Sequence, residues 1–449
     1  MNSSIDLLNG PIDSSLRKFA FPLAFSFLIS MAYSWVDAYY VSMLGSLEVA
    51  AIGVSEHLVF FVFTIGSGFA IGSGIIIARR FGEGRQREAN IIATQSLGLI
   101  FIIGIILAAL LITVLPYILD YMGIKGVVNK HAGEYLKAVL IGLPGNFMLF
   151  QISSFVRSSG NSTFPMYLLV FSVVANAVIA PFLIFGIGPF PELGIAGAGY
   201  ATATAQYLGA FAGIAGLKMK MTPVSIVIRR FKFNPGIIWQ ITKLGVPSTF
   251  LFMIMSINRL LLTKFAAAFG DNVLTAYTIG LRLDLFVFMS IFATGIAIEV
   301  TTSQNIGANK LKRVFHYYWS AVKQLSILML VFGIAVFFWG DNFARIFTDN
   351  PVIIVETGDY LRITSLSYIP YAIGIVSIRA LNGTGDTKRS ILLAFLILIC
   401  FQVPMIYALS HLFPFSQDGI WMGITMSYIL YALLGIRMFN SRKWMKVRV

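Results

Sequence analysis

Charge is scarce in this chain. Of 449 residues only 12% are Asp, Glu, Lys or Arg, while 57% are hydrophobic and the mean hydropathy is +0.83. A soluble domain carries about a quarter charged residues, so a string of soluble domains is excluded despite the length. There is one cysteine, Cys400, inside an apolar run, which rules out an internal disulfide and leaves the redox compartment open. Four histidines and no His/Asp or Cys/His constellation at catalytic spacing argue against an enzyme and against a metal site. No Walker-type Lys-Ser/Thr follows the glycines, so a phosphate loop is not expected. The N-terminal stretch carries Asp6 and Asp13 and lacks a basic region before an apolar core; it reads as a short cytoplasmic segment, not a cleaved signal peptide.

What the chain has in place of charge is a series of apolar runs, each about 20 residues and long enough to cross a hydrocarbon core. We read twelve spans: 16–42, 49–78, 91–116, 133–156, 163–187, 194–217, 237–265, 274–304, 314–340, 355–381, 389–412 and 419–439. Turn chemistry separates them, as in Gly82-Glu83-Gly84, Gly160-Asn161-Ser162 and Asn234-Pro235-Gly236. Sorting the Lys and Arg residues by side puts about 22 on one face and about 4 on the other, the latter being Lys125, Lys130, Lys264 and Arg345. The basic set includes Arg79, Arg80, Arg229, Arg230, Lys310 and Arg448. Basic loops mark the cytoplasmic side, so a multi-pass protein of the cytoplasmic (inner) membrane with both termini inside is expected. This topology accounts for the net charge of +14 without nucleic-acid binding.

The chain repeats. At an offset of 225 residues Pro22 falls on Pro247, Gly45 on Gly270, Gly82 on Gly307, Arg85 on Lys310, and Gly160-Asn161 on Gly385-Asp386. Chance explains matching Phe residues but not Gly-plus-basic loops in one register. Six helices is an even number, so the two halves enter the membrane the same way. The fold class expected is all-α and integral to the membrane, with twelve transmembrane helices in two parallel six-helix repeats. The domains are 1–217, a linker at 218–236, and 237–449. Ile226, Ile228 and Phe231 among basic residues suggest that the linker lies on the inner surface.

Several motifs resemble the multidrug and toxic compound extrusion (MATE) transporters. They are Trp35-Val36-Asp37-Ala38-Tyr39-Tyr40 in a first helix with Pro22, Ala50-Ala51-Ile52-Gly53 opening the second, and Ala78-Arg79-Arg80-Phe81-Gly82 leading the basic loop. Gln304-Asn305-Ile306-Gly307-Ala308 echoes that loop, and Asn382-Gly383-Thr384-Gly385-Asp386-Thr387 matches the family's Gly-Asp-Thr turn. The acid in the first helix, with none in the seventh, looks nearest to the DinF-like branch. The resemblance implies a V-shaped pair of lobes exporting drugs or metabolites in exchange for H+ or Na+, with no cofactor beyond that ion.

Asp37 is the leading site residue. It lies about six residues, or about 9 Å, inside the outer end of its helix. An ionisable group at that depth is a functional candidate. The competing reading is a helix-end acid reaching the headgroups, though a short Asp cannot snorkel as Lys does. A carboxyl there can carry a proton or, with added oxygen ligands, hold Na+. Tyr33 is one turn earlier on the same face, and the resemblance makes such a Tyr part of the site. Asn176 matches the family's fifth helix and Thr202 its sixth, but Ala180 stands where the DinF-like pattern has Asp, which weakens the case for Na+. Glu56, beside His57 and close in depth to Asp37, is a replacement acid or simply faces an aqueous cleft. In the second half Arg259, Arg282 and Asp284 are candidates for gating or the substrate pathway. Arg259 and Asp284 fall at similar depth and suggest an ion pair, and Glu299 lies nearer the inner end.

The buried charges do not follow the repeat: Asp37 and Glu56 register with Leu262 and Leu281. Pro22, Pro144, Pro247, Pro370 and Pro404 are candidate bending points. Gly66, Gly68, Gly72 and Gly74 suit close helix packing, and Trp239, Trp421 and Trp444 read as interfacial anchors. The function expected is a monomeric antiporter that exports organic, cationic or amphipathic compounds, its two halves rocking between inward- and outward-open states. The alternative is a lipid-linked oligosaccharide flippase of the same superfamily, which would place more basic residues along a central cavity.

Overall fold

The computed structural model describes residues 5–227 and 232–446. Ile228, Arg229, Arg230, Phe231 and Arg448, used above, lie outside the described residues. Regular structure among the described residues is helical throughout. The first half holds α1 (Ile12–Ser42), α2 (Ser46–Gly82), α3 (Gln86–Tyr121), α4 (Gly126–Ile141), α5 (Leu143–Ser158), α6 (Thr163–Phe185) and α7 (Ile195–Lys218). The second holds α8 (Pro235–Ala268), α9 (Asp271–Gly307), α10 (Leu311–Ala344), α11 (Pro351–Ser365), α12 (Tyr368–Thr384), α13 (Thr387–Phe395), α14 (Gln402–Tyr407) and α15 (Asp418–Asn440). The segments Leu396–Phe401 and Ala408–Leu412, before and after α14, wind as π-helix.

Among the described residues nine helical stretches are long and apolar enough to cross a membrane, and two bent helix pairs raise the number to eleven. The twelfth span is α7, whose 24 residues are rich in Gly and Ala. At about 1.5 Å per residue it is long enough to cross, but its small side chains make it less apolar than the rest. Twelve spans result, as the sequence leads one to expect.

The repeat is visible helix by helix. α2 and α9 each have 37 residues, and their first residues, like their last, are 225 positions apart. Each follows a glycine with positive φ, Gly45 at 154° and Gly270 at 105°, a region that side chains rarely adopt. The spans read as 133–156 and 355–381 are not continuous helices. α4 and α5 meet at 48° and α11 and α12 at 53°, with the breaks at Gly142 and at Leu366–Ser367. Pro144 and Pro370 stand just beyond these breaks; a proline has no N–H to donate back one turn, and its ring crowds the carbonyl there.

By internal contacts the chain divides into two compact units, with divisions inside α1, inside α8 and between Asp6 and Leu7 before α1. Phe21–Thr249 belongs to unit 1, and Leu7–Ala20 with Phe250–Val449 to unit 2. In unit 1 the first half of α8 packs on α2 through glycines. A Cβ added at Gly72 would lie 2.5 Å from the Gly245 nitrogen, so only glycine allows this approach. The stretch after α7 runs along the start of α3: Gln86 donates to the Pro223 carbonyl, Asn90 to Ser225 Oγ and Gln95 to the Lys232 carbonyl. In unit 2 the residues before α1 are held by α9 and α10. Asn305 and Tyr317 donate to the Leu7 carbonyl, Lys310 to that of Leu8 and Arg313 to that of Gly10.

Large apolar side chains such as Phe21, Ile106 and Tyr117 cover the outside, as a surface solvated by lipid requires. Of the three tryptophans expected at helix ends, only Trp239 is exposed. Trp421 is buried and stacks on Tyr277, and Trp444 is buried and donates to the Phe439 carbonyl. Their aromatic neighbours offer more contact area than an interface would.

Candidate functional site

The site in unit 1 is assembled from three helices. α1 carries Tyr33, Asp37 and Tyr40, spaced by four and three residues and therefore on one face. α6 carries Ser172, Asn176 and Ala180, again one turn apart. α7 supplies Thr202 from a stretch of Ala and Gly, small enough for the helix to approach closely.

Asp37, Asn176 and Thr202 are all buried and hydrogen-bonded together. Thr202 donates its hydroxyl to Asp37 Oδ2 at 2.9 Å. Asn176 Nδ2 donates to Thr202 Oγ1 at 2.9 Å and, more loosely, to Asp37 Oδ1 at 3.4 Å. Asn176 Oδ1 is buried without a partner. Tyr33 does not touch Asp37 by hydrogen bond; its hydroxyl pairs with Ser172 Oγ, which in turn donates to the Ala205 carbonyl at 2.8 Å. Tyr33 thereby ties α1 to α6 and α7 one turn from the carboxylate. Tyr40 donates to the Ala177 carbonyl at 3.3 Å. That carbonyl lies four residues before Pro181, which has no N–H to offer it.

No cation lies against Asp37 among the described residues: Asp37 is in no ion pair. Ala180, fully buried in the apolar core of unit 1, fills the place of a second acid. Glu56 is exposed and outside the hydrogen-bonded cluster, though close enough to act electrostatically on Asp37. His57, also exposed, turns back to the Gly53 carbonyl of its own helix. Sequence reasoning missed Tyr135 of α4, which is buried in the core of unit 1 in the neighbourhood of Asp37 and Glu56. A tyrosine in an apolar span carries no signal of its own; only packing reveals it. The described residues contain no cluster of three His, Cys, Asp or Glu fit to hold a metal ion.

The second-half candidates separate. Arg259 and Arg282 are exposed while Asp284 is buried. The expected pairing of Arg259 with Asp284 does not form; Asp284 accepts instead from Tyr360 at 2.5 Å and Tyr368 at 2.6 Å. Arg259 and its neighbour Asn258 point to different sides of α8, and it is Asn258 that turns inward, to the Leu398 carbonyl and Gln402. Glu299 is buried and pairs with Arg379 at 3.0 Å.

The MatE family model matches residues 22–182 and 247–408, two stretches that begin 225 positions apart. The probable multidrug resistance protein NorM of Thermotoga maritima is 25% identical over 97% of this chain and 94% of its own. The probable multidrug resistance protein YoeA of Bacillus subtilis is 24% identical over 94% and 92%. Among solved structures, a MATE transporter in a bent conformation superposes with a TM-score of 0.92 at 23% identity, covering 98% of both chains. A transporter of the MOP superfamily from Pyrococcus furiosus superposes at 0.91 and 23%, covering all of both. These structures bear on the fold, and it is the family match over both halves that decides kinship. The chain belongs to the MatE family and is a multi-pass membrane transporter, not an enzyme.

Proposed function

We propose that the chain is a secondary antiporter that exports organic, cationic or amphipathic compounds in exchange for H+, coupling through Asp37. The observation that carries this reading is the buried Asp37–Thr202–Asn176 cluster, which holds a carboxylate with neutral donors and, among the described residues, no cation. A buried ionisable group inside a membrane span is where a proton is taken up and released. The names of the relatives, multidrug resistance and multidrug export proteins, support export of drug-like compounds.

Protonation would change the hydrogen bonding in a defined way. A carboxylate only accepts, whereas a carboxylic acid also donates. The free Asn176 Oδ1 is the acceptor on offer, reached by turning the amide. The bond that α7 makes through Thr202 is then weakened, and α1, α6 and α7 shift within unit 1 to release substrate. Na+ is the less supported partner, because Ala180 leaves the site one carboxylate short of a hard-cation cage. The flippase reading has less support too: it calls for more basic residues along a cavity than Arg259 and Arg282 supply, and Arg379 is already paired. On the loop charges we read the protein as lying in the cytoplasmic (inner) membrane with both termini inside, and we propose that it works as a monomer.

The test is efflux of a cationic dye from liposomes holding purified protein, with pH and Na+ gradients imposed separately. The pH gradient should drive efflux, and Asp37→Asn should abolish the drive. Coupled efflux that survives Asp37→Asn would overturn the assignment.

A further inference from the structure

Unit 2 contains a buried carboxylate that the mechanism above leaves unused. Asp284 of α9 is 2% exposed. Its two oxygens are held separately: Oδ2 by the hydroxyl of Tyr360 on α11, Oδ1 by the hydroxyl of Tyr368 on α12. α11 and α12 are the two arms of the broken span, bent by 53°. One carboxylate therefore clamps both sides of the break. Tyrosines and a tryptophan wall it in. Tyr277 packs edge-on to Tyr360 and stacks on Trp421, and Trp421 meets Tyr360 edge-on with ring centroids 4.8 Å apart.

Tyrosines from four helices lie around Asp284. Tyr277 lies on its own helix, Tyr360 on α11, Tyr368 and Tyr371 on α12, and Tyr428 on α15. Arg259 on α8 acts on Tyr277 from an exposed position. Asp284 is thus a carboxylate whose hydrogen-bonding partners are phenols, with no cation bonded to it among the described residues. The repeat adds an independent pointer. Tyr360 falls 225 positions after Tyr135, the tyrosine beside Asp37 in unit 1. Each unit thus places a buried tyrosine at the same repeat position, and in unit 2 that tyrosine is hydrogen-bonded to a buried acid.

We infer that Asp284 is a second proton-binding group, and that its protonation state sets the bend of the α11–α12 span. The proton adds to one carboxylate oxygen, which then donates and accepts less strongly. The tyrosine on that oxygen must turn its hydroxyl to accept, so its bond is reversed and weakened, and one arm of the break is loosened while the other stays bound. A broken span is a place where such a local change can become a movement of helices. The inference is independent of Asp37: a carrier that couples through Asp37 alone would leave Asp284 permanently in one state.

Infrared difference spectroscopy of the purified full-length protein, between basic and acidic pH, reads protonated carboxyls directly. Wild type should show buried carboxyl bands from both Asp37 and Asp284. Asp284→Asn should remove one band and Asp37→Asn another, each leaving its counterpart. Tyr368→Phe, which keeps the acid, should shift the Asp284 band and guards against misfolding of the Asn variant. At one fixed pH, Asp284→Asn, a neutral mimic, should raise amide hydrogen exchange at 366–370 several-fold and leave 142–146 in unit 1 unchanged. A spectrum in which neither Asp284→Asn nor Tyr368→Phe alters a band overturns the proton site. Unaltered exchange at 366–370 overturns its link to the bend. Loss of no band in Asp37→Asn would count against the Asp37 reading alone.

Discussion

Thr202 reaches Asp37 across 2.9 Å, from a helix whose Gly and Ala content lets it come that close. Among the described residues its hydroxyl makes the shortest hydrogen bond to the carboxylate, and it links α7 to α1 directly. Thr202→Val keeps the shape and deletes the donor, which leaves a buried carboxylate short of a partner at a cost of about 1–3 kcal/mol. We expect dye efflux driven by a pH gradient to fall by about tenfold, equivalent to about 1.4 kcal/mol. Thr202→Ser, which retains the hydroxyl, should transport nearly as wild type. Equal rates for the Val and Ser variants would show that the bond plays no part in coupling.

Ala180 permits a gain-of-function test. It lies one turn after Asn176 on α6 and is fully buried in the core of unit 1. Ala180→Asp adds a second carboxylate next to the cluster and raises its capacity to hold Na+. We expect the variant to respond to a Na+ gradient in liposomes. We also expect a lower melting temperature without Na+, since burying an unpaired acid costs several kcal/mol or shifts it to its neutral form. Stability that rises with added Na+ and not with added K+ is the signature to look for.

Much of this architecture is legible in the residues. Hydropathy and loop charge give the twelve spans, and the 225-residue offset predicts the pairing of α2 with α9. Asp37, Asn176 and Thr202 come together as the family motifs suggest. The breaks in the fourth and tenth spans are half-legible: Pro144 and Pro370 mark them, but a proline only permits a bend, and packing decides whether one forms. The ion pair expected of Arg259 and Asp284 shows where such reasoning stops. Equal depth along two helices does not fix which way each side chain faces, and Arg259 turns outward while Asp284 turns in. Trp421 and Trp444 fail for a related reason, because nearness to a helix end says nothing about which aromatic neighbours the fold will bring.

Gly72 tests the α2–α8 crossing. A methyl group there would meet the Gly245 backbone at 2.5 Å, where no flexible side chain can give way. Gly72→Val should destabilise the protein by about 1–3 kcal/mol through overpacking. Thermal unfolding in detergent, followed by tryptophan fluorescence, should show a clear fall in the midpoint. Gly53→Val, where a Cβ would meet nothing within 4 Å, is the control and should unfold as wild type.

Glu299 and Arg379 form the one ion pair in which both side chains are buried among the described residues, at 3.0 Å between α9 and α12. Arg379 also lies over the ring of Phe252, which fixes its guanidinium from a second side. Taking both charges out of water is expensive, so the pair as a whole adds little stability, whereas either partner left alone is costly. Arg379→Met should therefore destabilise by about 3–5 kcal/mol, and Glu299→Gln by a similar order. The double variant should recover most of that loss, because no buried charge is left unmatched. A double-mutant cycle on unfolding midpoints measures the difference. If the double variant is as unstable as the sum of the two single ones, the two groups do not act as a pair, and their contact is incidental to the packing of α9 on α12.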